Sequence, residues 1–135
     1  MTMTTTLIKI IRAFRPLCGL MEEASDYQTA FALVSFKRAL IPHIEFFNDT
    51  ERKLIEKYAR RDDKGEVILD NGQYTIDAGN RAEFIKRKTE LDGVTAEIPD
   101  MKLKKAPASI SAADLEALME IIHFPEGGEN SAENS

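Results

Sequence analysis

Residues 25–63 form the longest periodic stretch and constrain the fold more than any other feature. Leu33, Lys37, Leu40, Ile44, Phe47, Glu51, Leu54 and Tyr58 recur at spacings of three and four. That is the period of a helical seam, here with two charged interruptions. A second stripe of Tyr27, Phe31, Val34, Ile41 and Ile55 lies beside it, so the helix is wide-faced and meets more than one neighbour. Pro42 removes a backbone donor and crowds the preceding turn. Asn48 to Thr50 can cap a fresh helix, with Glu51 in capping-box register. The expectation is a long helix over about 26–62, kinked near Pro42, with a break near Asn48 left open. The seam of Leu33, Leu40, Ile44, Phe47, Leu54 and Tyr58 motivates self-association, hence a homo-oligomer.

The period then changes. Glu66 to Leu69 and Gln73 to Ile76 flank Asp70-Asn71-Gly72, and Asn-Gly between β-favouring runs is a strong hairpin signal. A hairpin over 66–76 is expected, and it needs a helix or a third strand to lean on. Residues 94–98 offer an edge strand, ended by Pro99. A charged helix fits 81–92, with Asn80 and Glu83 as a capping box and Gly93 just past its end. Its apolar side is thin, with Phe84, Ile85 and Leu91. A last helix fits 112–122, capped by Ser111 with Asp114 at the third helical position. The N-terminal stretch carries Lys9, Arg12 and Arg15 and no acid. It reads as a helix over about 4–15, capped by Thr4 to Thr6 and stopped by Pro16. Its apolar stripe packs on the domain, with a targeting or membrane-surface helix as the alternative. The fold class is therefore α+β and mostly helical: one domain over 1–124, followed by a disordered Gly/Glu/Asn/Ser tail over 125–135.

Composition closes off several functions. The chain has 135 residues, with 18 Lys plus Arg against 23 Asp plus Glu. A net charge of −5 argues against nucleic acid as a partner. Cys18 is the single cysteine, which forbids an intrachain disulfide and a Cys-rich metal site. No apolar run is long enough to span a bilayer, so no membrane partner is expected. Asp62 to Glu66 and Asp70 to Gly72 lack calcium-loop spacing and read as solvated turns. His43 has no orienting partner in view, and His123 near the last helix end complements its dipole. No phosphate loop, dinucleotide fingerprint, nucleophile elbow or zinc signature occurs. Catalytic, metal and cofactor-binding residues are therefore assigned to none.

Two basic clusters remain. Arg60, Arg61 and Lys64 belong to the first, and Lys86, Arg87 and Lys88 form the second. Interspersed acids favour a solvated helical face for the first. If the clusters converge, with Tyr58 or Tyr74 for stacking, they can receive an acidic partner or a nucleotide. Arg60, Arg61, Lys64, Tyr74, Lys86, Arg87 and Lys88 are the interaction candidates.

The order of elements carries a resemblance. Glu51 to Ala59 is followed by an acidic Gly turn, the hairpin at Asn71-Gly72 and a charged helix with Phe84 and Leu91. Then come a strand at Glu97-Ile98 and the segment Ile110 to Leu118. Over residues 30–122 the chain resembles small proteins of tailed phages and prophages of Gram-positive hosts, a family of unknown function. The resemblance implies a phage-encoded accessory role in the host cytoplasm during infection, without a cofactor, and transfers no catalytic residue. Function is then expected to be non-enzymatic protein binding, as an assembly factor or a modulator of a host system, with a phage structural or host protein as partner. The alternatives are sequestration of a nucleotide or other small anionic signal, and an unrecognised enzyme.

Overall fold

The computed structural model describes residues 1–23 and 26–125. Its elements run β1 (Thr2–Thr6), α1 (Leu7–Glu22), α2 (Tyr27–Tyr58), β2 (Leu69–Asp70), β3 (Gln73–Tyr74), a 3₁₀ turn (Ala78–Asn80), α3 (Arg81–Asp92), β4 (Thr95–Pro99), β5 (Met101–Lys102), α4 (Ala112–Met119) and β6 (Ile122–His123). The fold is α+β and mostly helical, as the periodicity requires. The expected tail lies, beyond Pro125, outside the described residues.

The N-terminus differs from its expectation. Thr2 to Thr6 form a strand instead of helix caps, because a β-branched run suits a pleated surface. This strand pairs antiparallel with β4, placing Met3 opposite Ile98 and Thr5 opposite Ala96. Thr5, Ala96 and Ile98 are buried there. The segment at 94–98 thus finds its partner at the far end of the sequence and not at the hairpin. Thr6 stands at the N-cap of α1 but makes no side-chain cap bond. The Leu7 N–H is instead satisfied by the Val94 carbonyl at 2.9 Å.

Helix α1 also runs through Pro16 to Glu22. Pro16 costs one intrahelical bond. Leu17, fully buried one residue later, continues the stripe of Leu7, Ile10 and Ala13 and holds the helix on course. The stripe therefore lies in the chain's own core.

Helix α2 is unbroken through Pro42 and Asn48, and it ends at Tyr58, short of 62. Buried Leu40 and Ile44 anchor the chain on either side of Pro42. Asp26 caps its start, accepting from the Thr29 N–H at 3.2 Å and the Thr29 hydroxyl at 2.7 Å. Leu33, Leu40, Ile44, Phe47 and Tyr58 are buried and Leu54 is half-buried. They are consumed within one chain, which corrects their assignment as the surface that joins copies. Phe36 completes that seam, where the sequence pattern had placed half-buried Lys37.

Helix α3 spans the expected 81–92, but Asn80 forms no capping bond. The chain enters through a 3₁₀ turn, in which the Asp77 carboxylate accepts from the Gly79 N–H at 3.1 Å. Ser111 caps α4 as expected, accepting from the Asp114 N–H at 3.1 Å. That helix ends at Met119 and not at 122. Ile121 and Ile122 leave it to enter the core, where β6 pairs parallel with β5. His123 consequently sits in a strand, its Nε2 2.8 Å from Asp100 Oδ1, and does not serve a helix end.

Candidate interaction surface

Beyond Tyr58 the chain builds a small β-finger from local chemistry. Asn71 (φ 53°) and Gly72 (φ 78°) occupy the left-handed region together. That is the two-residue turn whose twist matches paired strands. It sets Asp70 opposite Gln73 and Leu69 opposite Tyr74. Directly opposed residues project from the same side of a ladder. Leu69 and Tyr74 are 55% and 42% exposed, so they present a joined apolar surface near the tip.

The base of the finger is braced by the backbone of residues 59–61, wedged between its arms. The Arg60 N–H donates to the Thr75 carbonyl at 2.7 Å, and the Arg60 carbonyl accepts from the Ile68 N–H at 2.8 Å. Bridges join Ala59 to Ile76 and Arg61 to Val67. The hairpin's third strand is thus the segment that precedes it. The Arg61 guanidinium donates to the Gly65 carbonyl at 2.9 Å and the Glu56 carbonyl at 2.7 Å. It satisfies an orphan carbonyl at the end of α2 and ties the intervening loop to it. Within that loop Asp62 Oδ1 accepts from the N–H groups of Lys64 and Glu66, a turn built by a carboxylate.

The other interaction candidates divide sharply. Arg87 pairs with Glu83 at 3.1 Å and Glu90 at 3.2 Å. The Tyr58 hydroxyl first, then Glu83 and Glu90, hold its guanidinium above the ordinary arginine value. Lys88 is half-buried between α2 and α3, 2.5 Å from Asp92 and 3.3 Å from Glu51, with its ammonium 4.8 Å from the centre of the Phe47 ring. Next to it Phe84 meets Tyr58 edge to face at 6.2 Å. These contacts dock α3 on α2. Arg60, Lys64 and Lys86 are exposed and form no ion pair among the described residues. Further up α2, Arg52 and Lys53 gather on Asp49, holding its carboxyl below the ordinary value, the Lys53 contact contributing most and Arg52 next. Of the six candidate cations, Arg61, Arg87 and Lys88 are engaged within the chain, and Arg60, Lys64 and Lys86 are left without an ion pair among the described residues.

Pattern reading missed Leu69, although a two-residue loop at Asn71-Gly72 by itself dictates that Tyr74 faces it. Pattern reading also left open which face of α2 would stay bare. Tyr27, Phe31 and Phe46 are 80%, 61% and 54% exposed. No described helix is long and apolar enough to cross a membrane. No protein-family model, curated protein or solved structure matches the chain.

Proposed function

We propose that the protein is a non-enzymatic accessory protein that binds another protein through its β-finger. The observation that carries this reading is the pair Leu69 and Tyr74, side by side and exposed on a hairpin braced at its base. A rigid aromatic anchor beside an aliphatic side chain is the chemistry of an interface hot spot, because little entropy is lost on docking. Arg60 and Lys64 at the base, with Asp62, Asp63 and Glu66 close in sequence, supply a charged rim of mixed sign. The resemblance to phage accessory proteins supports action in the host cytoplasm on a virion or host protein.

The test is affinity capture with mass spectrometry, using the tagged chain expressed in the host with and without infection. One specific partner should be recovered by the wild-type chain and lost by the Leu69→Ser/Tyr74→Ala double variant. Both side chains are exposed, so the far-UV circular dichroism of the variant should match wild type. Equal recovery by the two chains would remove the finger from the interface.

A further inference from the structure

We propose that the outward face of α2 pairs with the same face of a second copy of this chain. The two helices would run antiparallel about a two-fold axis near residues 40–42. At about 100° per residue, Phe31, Arg38, Pro42 and Asp49 share the side turned away from buried Leu33, Leu40 and Ile44. A helix with one buried face ordinarily turns polar residues outward. Here Tyr27 and Phe31 stand on that side, their ring centres 6.1 Å apart. They form an aromatic knob towards the N-terminal end.

Towards the other end of the same face lies a shallow hollow of about 660 Å³, lined by Glu45, Phe46, Asn48, Asp49 and Arg52. Between knob and hollow lies Arg38, and at the near edge of the hollow lies Glu45, an opposite charge two helical turns away. Neither has an ion-pair partner among the described residues.

A face with its own knob and its own hollow on either side of a centre is complementary to itself under a two-fold rotation. That is the requirement of an isologous dimer. Antiparallel pairing sends each Phe31 into the partner's hollow, above its Arg52 guanidinium, a cation–π arrangement. The same rotation brings each Arg38 within a turn of the partner's Glu45, well inside the reach of two long side chains. Parallel pairing would instead set Arg38 against Arg38 and knob against knob. The charge order along the helix therefore selects both the partner and its direction. The surface is separate from the finger, so either can fail without the other.

Sedimentation equilibrium of the full chain across the micromolar range tests the proposal. The wild-type mass should approach twice 15.2 kDa. Phe31→Glu should give a monomer with unchanged far-UV circular dichroism. Arg38→Glu and Glu45→Arg should each raise the dissociation constant about tenfold, and the double reversal should restore it, because the ion pair is remade with its poles exchanged. The Leu69→Ser/Tyr74→Ala chain should dimerise like wild type. A wild-type monomer at high micromolar concentration overturns the proposal. So does a Phe31→Glu dimer of undiminished affinity, or a double reversal no tighter than the single ones.

Discussion

The central part of α2 and the finger beyond its end are neighbours in sequence and are held by different physics. Residues 33–47 bury Leu33, Phe36, Leu40, Ile44 and Phe47 against α1, α3 and β4. Their stability comes from apolar area removed from water, a term shared with partners from distant parts of the chain. Residues 59–77 bury only Ala59. Their shape comes from three left-handed turn residues (Gly65, Asn71 and Gly72), a wedged backbone and one arginine bonded to carbonyls. A segment of that kind opens locally at lower free energy than the core. The lesson is that one long helix can carry a cooperative core at its centre and a semi-independent presentation device at its end.

The sharpest way to break the central region is Leu40→Ala. Leu40 is fully buried, and truncation there leaves a cavity as well as losing transfer energy, about 3 kcal/mol in all. The urea midpoint should fall with an unchanged slope, because the whole fold weakens together. Gly72→Ala asks the complementary question of the finger. A Cβ at φ 78° meets no neighbouring atom within 4 Å, so the cost is conformational, about 1 kcal/mol. Amide exchange should quicken in residues 59–77 and stay unchanged in α1 and the centre of α2. Equal acceleration in both would show that the finger and the core open as one unit.

What pattern reading could see follows the same division. The turn at Asn71-Gly72, the Ser111 cap and the bounds of α3 were legible because each depends on residues within a few positions. The Thr2–Thr6 strand was not, because its partner begins opposite Pro99 at the other end of the chain. A polar, β-branched run reads equally as a cap until that strand arrives. Pro16 looked like a stop because the loss of one hydrogen bond is local, whereas the burial of Leu17 that outweighs it is tertiary. The periodicity of α2 showed two apolar stripes but not which one the rest of the chain would cover. For the candidate surface, Tyr74 was visible as an aromatic beside a turn. Arg61 was visible only as a charge, since nothing in its neighbours in sequence announces that it would spend its donors on the Glu56 and Gly65 carbonyls.

The smallest effect sharpens the comparison at the start of α2, where a carboxylate caps a helix, against a finger whose charged ties, Arg61 and Asp62, bond backbone groups of a loop. The Asp26 carboxyl is held below its ordinary 3.8, first by the Thr29 hydroxyl, next by the Thr29 N–H and last by the charge of Lys105. A carboxyl with a lower value in the folded state stabilises the fold above 3.8. That contribution disappears as pH falls through the lower folded value, so stability should decline on the acid side and not on the alkaline side. Asp26→Asn retains an amide oxygen able to cap the helix and removes the titration. Between pH 7 and pH 3 the variant should therefore lose less of its urea midpoint than wild type, with the gain confined to amides in the first turns of α2. The finger's exchange rates, corrected for intrinsic chemistry, should be the same in both chains at each pH. An equal acid loss in wild type and Asp26→Asn would assign the acid sensitivity elsewhere, with Asp49 beside Lys53 and Arg52 the next carboxyl to replace.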